Sequence, residues 1–358
     1  MKIEMLHDSP WRGAFYVTGG GSLLLSNLLS VPGASRTVLD ARVPYAEAAL
    51  EDVLGTKPEQ ACSSLAARML AMKAYSNACA LDDGPNLFGL GVTASLATNR
   101  AKRGQLRAHV ALQTASRTQV SEICFPNSQL RAAQERELTE IALQKLGIGL
   151  GLTADALNPN TDHALVASND VQALLQDEPR YIGEPGSIFL PGAFNPLHDG
   201  HRRMKELAEE ICNNQCQYEL CVRNFDKPHL DFIELEQRRL QLSDEDCVIT
   251  NVPRFSDKAR LLVPDGGATF VLGIDTLKRI ADASYYGNAE QMRASIQTMS
   301  ERSDKLLVFG RVGGDMEFAT LGDVELPDEL SRLCHGFTEK QFRMDISSTA
   351  IRRQARTN

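Results

Sequence analysis

The chain has 358 residues, 43% hydrophobic and 23% charged, with a formal net charge of −8. That length suggests two domains rather than one or four, and the composition is that of an ordinary soluble globular protein. The acidic balance argues against a dedicated nucleic-acid or membrane-surface binder, while leaving room for a local basic pocket that holds a small anion.

The opening stretch MKIEMLHDSPWRGAF lacks the apolar centre of a signal peptide, and no apolar run is long enough for a transmembrane helix. The eight cysteines, Cys62, Cys79, Cys124, Cys212, Cys216, Cys221, Cys247 and Cys334, form no CxxC pair. They read as small hydrophobes of a reduced protein rather than as staples or metal ligands, and a cytoplasmic location is expected.

In the first half, AFYVT reads as a strand and GSLLLSNLL as a helix opening on glycines. RTVLDARV alternates like a strand, AEAALEDVLG is a helix ending at Gly55, and PEQACSSLAARMLAMKAYS is a long amphipathic helix. NLFGLGVTASLA, GQLRAHVALQT and TQVSEICF follow as strands, and SQLRAAQERELTEIALQKLG is a helix stopped by glycine. Residues 151–186 are rich in Asn, Asp, Pro and Gly and read as an inter-domain linker with one short helix.

The second half restarts the alternation. SIFLPG, QYELCVRN, DCVITN, ATFVLGI and DKLLVFGRV read as strands. Between them lie the helix after His201, then ELEQRRLQLS, DKARLLV and TLKRIAD, and SSTAIRRQAR closes the chain. The expected fold class is α/β with two α/β domains, 1–150 and 187–358, the second a Rossmann-like parallel sheet with right-handed crossovers. Ligands of such sheets bind beyond the carboxyl ends of the strands.

At the end of the first of those strands stands GAFNPLHDGH. Gly192 permits close backbone approach, and the helix that follows offers free N–H groups to an anion. His198 and His201, three apart, share one face of the helix start and can each donate to phosphate oxygens. Near the chain's end Ser347, Ser348 and Thr349 open a helix carrying Arg352 and Arg353, where hydroxyls and a guanidinium again suit phosphate. Taken singly, these are a polar cap and an ordinary capped helix. Together, about 145 residues apart in a βαβ chain, they mark one site.

These two stretches resemble the GxFxPxHxGH and ISSTxxR signatures of the nucleotidylyltransferase superfamily. FNPLHDGHRRMKELAE, NFDKPHLDFIELEQRR, LGIDTLKRI and LLVFGRVGG resemble segments of its nicotinamide/nicotinate mononucleotide adenylyltransferases, from Ser187 to the C-terminus. The resemblance implies attack of a mononucleotide phosphate on the α-phosphate of ATP, with pyrophosphate leaving and catalysis resting on positioning and charge neutralisation. His198 and His201 would then be the catalytic pair, and Gly192, Phe194 and Asn195 would shape the turn over the nucleotides. Lys227, Ser347, Ser348, Thr349 and Arg352 would bind phosphate and Asp275 nucleotide, with Mg²⁺ riding on the phosphates and no protein-built metal site. Lys227 and Asp275 read equally well as a solvated charge and a helix cap. Arg238, Arg239 and Arg311 are secondary candidates. Tyr285, Tyr286 or Phe255 would have to supply any aromatic stack, since the only tryptophan, Trp11, lies in the first half. Cytidylyltransferases and phosphopantetheine adenylyltransferases share both signatures, so the acceptor stays open, as does a non-catalytic nucleotide-binding regulator.

The first half, roughly 14–150, resembles the CinA C-terminal family, whose active members deamidate nicotinamide mononucleotide. Where that family has Glu-Ser-Cys-Thr-Gly-Gly this chain has FYVTGG, so Tyr16 stands in place of the nucleophilic serine. Leu50, five residues beyond Tyr45, replaces a lysine, and the family's glycine-rich loop has become GVTASLAT, keeping Gly91. A tyrosine with no adjacent base does not replace an activated serine. The expectation is a fold kept without the deamidase reaction, serving dimerisation, stability or ligand sensing, although the glycine turn from Thr18 to Ser22 could still hold an anion. A bifunctional deamidase–adenylyltransferase is the alternative.

Overall fold

A computed structural model describes residues 1–99, 104–223, 227–242, 246–312 and 317–357. Its contacts divide the chain into two compact units, Met1–Gln172 with Asp226–Leu235, and Ala173–Phe225 with Glu236–Asn358.

The first unit runs α1 (Ile3–His7), β1 (Arg12–Thr18), α2 (Ser22–Ser30), β2 (Val38–Arg42), α3 (Glu47–Leu54), α4 (Ser64–Leu81) and β3 (Leu87–Ser95). It continues through β4 (Leu106–Thr114), β5 (Arg117–Phe125), α5 (Arg131–Gly149) and β6 (Asp162–Val166) to α6 (Asn169–Ala173). The six strands form one sheet in the order β2-β1-β3-β4-β5-β6. β1 pairs in parallel with β2 and β3, and the pairs β3–β4, β4–β5 and β5–β6 are antiparallel. One face buries Phe15, Val17, Leu90 and Val92 against Leu24 and Leu28 of α2 and Leu138 and Leu146 of α5. The other face receives α4, whose Ser63 cap accepts from Ala66 N–H at 3.1 Å. Glycines at alternate positions of β3 allow this: a Cβ on Gly89 would stand 2.1 Å from the Ala71 carbonyl oxygen, and one on Gly91 2.2 Å from that of Ala67.

Residues 231–234 join this unit through polar bonds and apolar packing. Asp231 accepts from Arg68 Nη1 at 2.5 and 2.7 Å, and Glu234 from Arg68 Nη2 at 3.3 Å. Phe232 N–H donates to Thr118 Oγ1 at 3.0 Å, and Ile233 packs with Ala67, Ala71, Ala111 and Val120.

The second unit begins with β7 (Tyr181–Ile182), β8 (Ile188–Pro191), α7 (Asp199–Cys212) and β9 (Cys216–Cys221). α8 (Phe232–Arg239) is shared, its first residues counted with the first unit and its last with the second. Then come β10 (Cys247–Thr250), α9 (Phe255–Leu262), β11 (Thr269–Gly273), α10 (Ile274–Ile280), α11 (Ala289–Glu301) and β12 (Lys305–Phe309). A small antiparallel pair, β13 (Arg311–Val312) with β14 (Phe318–Ala319), then α12 (Asp328–Leu333), β15 (Cys334–Gly336) and α13 (Ser348–Thr357) complete the described elements. The seven-stranded sheet has the order β15-β12-β11-β8-β9-β10-β7. Every pair is parallel except the edge pair β10–β7. Such a sheet needs cover on both faces, and Phe189, Phe270, Leu272 and Val308 are fully buried accordingly. After β8 the chain builds outward to β9 and β10, then crosses to the other side for β11 and β12, so the topological switch falls between β8 and β11. The crevice at their carboxyl ends is where such sheets bind ligands.

The α/β class and the parallel second sheet are as expected from the alternation. The stretch 151–186, read as a linker, carries a strand for each sheet. β6 pairs antiparallel with β5, and β7 with β10. Asn251, 2% exposed, fixes the approach to β7 by donating to Gln176 O and Glu178 O at 3.0 and 2.8 Å. All eight cysteines are free, and among the described residues no helix is long and apolar enough to cross a membrane.

Candidate functional site

The turn after β8 is built around Phe194. Its backbone lies in the left-handed region (φ 44°) and its ring is buried, edge-on to Tyr218 at 5.1 Å and to His201 at 5.3 Å. Gly192 makes room for that ring, since a Cβ there would meet it at 2.5 Å. Asn195–Pro196 is a cis peptide. His198 is the N-cap residue of α7 in extended backbone (φ −146°, ψ 170°), and Gly200 lets its ring lie over the first turn, where a Cβ would come within 3.0 Å of the imidazole.

The two imidazoles stack, with ring centres 3.8 Å apart and planes 22° from parallel. His198 N–H donates to His201 Nδ1 at 3.3 Å, which places the His201 proton on Nε2. Nδ1 of His198 is buried with no hydrogen-bond partner among the described residues. Burial, followed by the charges of His198 and Arg202, lowers His201 to about 4, and burial also lowers His198. At neutral pH both rings are therefore neutral donors rather than cations.

The second motif meets the first. Ser347 caps α13, accepting from Ala350 N–H at 3.2 Å. Ser348 Oγ donates to Pro196 O at 2.9 Å, Arg352 Nη1 donates to Asn195 O, and Arg352 Nη2 reaches Thr349 Oγ1 at 3.4 Å. GAFNPLHDGH and ISSTAIRR thus form one assembly, as their pairing predicts. Asp275 stands in the first turn of α10, at the end of β11, paired with Arg311 at the start of β13. Arg311 lies near enough to His198 to add to the lowering of its pKa.

Lys227 is exposed in the segment grouped with the first unit. Arg238 donates to Ala193 O at 3.1 Å, while Arg239 pairs with Glu236 at 3.0 Å. Of the aromatics, Phe255 packs on Phe270 at 5.2 Å, and Tyr286 is buried with Arg254 over its ring at 5.7 Å. Tyr285 is half-buried. Gln241, which the sequence reading passed over, holds both Phe194 O and Leu197 N–H. Its only sequence signal is its place three residues after Arg238.

In the first unit Tyr16 is fully buried and donates to Asp40 Oδ2 at 2.9 Å. The same oxygen accepts from Asn77 at 2.8 Å and Arg42 at 2.7 Å. Burial, then Asp40, raises the phenol well above its usual range, so no phenolate forms. Tyr16 and Leu50 lie in one apolar cluster with Leu54, Leu70 and Ala74. The N–H of Gly21, at the glycine turn read as an anion site, is donated to the Glu135 carboxylate at 2.8 Å.

Residues 189–354 match the family model described as cytidylyltransferase-like. No curated protein matches the sequence. The N-terminal part is similar to solved structures of the CinA superfamily. One is the competence-damaged protein of Enterobacter cloacae, at 18% identity over 41% of this chain and 86% of that one, with TM-score 0.34. Another is the competence/damage inducible protein CihA of Agrobacterium tumefaciens, at 19% identity over 42% and 90%, with TM-score 0.34. The cytidylyltransferase-like match supports nucleotidyl transfer by the second half.

Proposed function

We propose that the protein transfers an adenylyl group from ATP to a pyridine mononucleotide, nicotinamide or nicotinate, with release of pyrophosphate. The observation that carries this reading is the bonding of Ser348 and Arg352 to the carbonyls of Pro196 and Asn195, which brings two distant phosphate-type motifs to one turn beside His198 and His201. The acceptor rests on the resemblance of LGIDTLKRI and LLVFGRVGG to the pyridine-nucleotide enzymes.

In this reading the neutral rings of His198 and His201 donate N–H bonds to the phosphate oxygens on which charge builds as the α–β bridge breaks, an electrostatic role that needs no covalent intermediate. The start of α13 and the start of α7 offer further donors to the departing pyrophosphate. Among the described residues no group of three or more His, Cys, Asp or Glu is placed to hold a metal, and Asp275 is already paired with Arg311. A Mg²⁺ carried by the phosphates would neutralise their charge when bound. The first unit is proposed to be silent as a deamidase, because Tyr16 is sealed in the core.

The test incubates the whole chain with ATP or CTP, Mg²⁺ and a panel of acceptors. Dinucleotide and pyrophosphate from ATP and a pyridine mononucleotide are expected, and His201→Ala should lower kcat by ~10²-fold or more. Turnover with CTP and an alcohol phosphate alone would replace the acceptor and the donor nucleotide. Tight ATP binding without turnover on any acceptor would favour a regulator.

A further inference from the structure

Four consecutive carbonyls of the turn, residues 193–196, are held by side chains from elsewhere in the second unit. Arg238 takes Ala193 O at 3.1 Å, Gln241 takes Phe194 O at 3.1 Å, Arg352 takes Asn195 O and Ser348 takes Pro196 O at 2.9 Å. Leu197 N–H closes the set by donating to Gln241 Oε1 at 2.9 Å. Ser348 and Arg352 belong to the motif already described. Arg238, in the last turn of α8, and Gln241, in the turn that follows it, belong to neither motif.

The Gln241 amide grips the turn on both sides. It donates to residue 194 and accepts from residue 197, spanning the cis peptide and ending at the residue before His198. The backbone here has no ladder to hold it, and Phe194 sits at positive φ, a conformation that persists when its surroundings determine it. Gln241 is itself exposed. Hydrogen bonds of that kind add little to global stability, so their concentration on one turn points to placement of the turn rather than to folding.

We propose that Arg238 and Gln241 are positioning residues for the transfer reaction, touching no reacting atom and holding the 193–197 backbone so that His198 and His201 face the transferring phosphate. The inference rests on the nucleotidyl-transfer reading. The clamp has two arms, one from the end of α8 and the turn after it and one from α13, closing on adjacent carbonyls.

The experiment uses the full chain with ATP, Mg²⁺ and the acceptor it turns over. Gln241→Ala is expected to lower kcat about 10–100-fold, the scale of a slightly misplaced reacting group, with the KM for ATP changed less than about threefold. Gln241→Glu, which keeps the acceptor for Leu197 and loses the donor to Phe194, should fall between. Arg238→Lys should retain most of what Arg238→Ala loses, which a purely steric role would not predict. In parallel, ring-carbon NMR titration should show His201 moving up from about 4 in Gln241→Ala as its stack on His198 loosens. Wild-type kcat and unshifted imidazoles in both alanine variants would overturn the positioning role. A wild-type chain that turns over no acceptor would instead overturn the transfer reading, and with it the reaction that these residues are said to serve.

Discussion

His201 makes the fold sensitive to acid. Its ring is stacked on His198 and set edge-on against Phe194, and burial is the main cause of a pKa near 4, below the ordinary 6.5. Because the folded value is depressed, the unfolded chain takes up the proton first as pH falls. The stability is whole above about pH 6.5 and is lost on the way down to about 4, at most about 3 kcal/mol in all. Thermal unfolding from pH 7 to pH 4 should show a shallower fall in midpoint for His201→Asn than for wild type, and equal slopes would take His201 out of the account. The pair's position at a helix start was legible, since a spacing of three within GAFNPLHDGH places both rings on one face. Their neutrality was not. It follows from burial, and Phe194 turning back under the rings at positive φ leaves no trace in residue spacing.

At the scale of elements, β3 and α4 show how closely a helix can lie on a strand. A methyl on Gly91 would stand 2.2 Å from the Ala67 carbonyl oxygen and 2.5 Å from the Ala71 nitrogen, both backbone atoms of α4 that cannot rotate away. Gly91→Ala must lift an 18-residue helix from the sheet and should cost about 1–3 kcal/mol or more in urea unfolding. Gly104→Ala, with nothing within 4 Å of its Cβ, is the control and should be near neutral. A stability loss no larger than the control's would mean that α4 has slack. The main strands and helices could be read because apolar periodicity changes from two to 3.6 along the chain. β6 could not be read that way, because its burial is only partial and its extension comes from pairing with β5. β15 has three residues and carries no period. α11 did carry a signal, Met292, Ile296 and Met299 at helical spacing on one buried face, but the stretch holding it had no sequence assignment.

The whole chain is not two contiguous halves. Residues 226–235 lie inside the stretch that resembles a nucleotidylyltransferase, yet their contacts belong to the first unit. Sequence patterning could not disclose this, because the deciding contact joins Arg68 to Asp231 and Glu234 across more than 160 positions. These three side chains are 5%, 3% and 9% exposed. A buried ion pair contributes little net stability when intact, but removing one side leaves an uncompensated charge at a cost of about 3–5 kcal/mol. That asymmetry makes the division testable by the sign of one substitution. In the full chain Arg68→Met removes the cation that Asp231 and Glu234 share and should lower the unfolding midpoint. In a fragment ending at residue 186 the carboxylates are already gone and Arg68 is the stranded charge, so the same Arg68→Met should raise the midpoint relative to the unsubstituted fragment. Calorimetry on the four proteins measures both signs. A destabilisation in both backgrounds would mean that Arg68 finds another partner once 226–235 is removed, and that the first unit does not depend on that segment to neutralise its buried arginine.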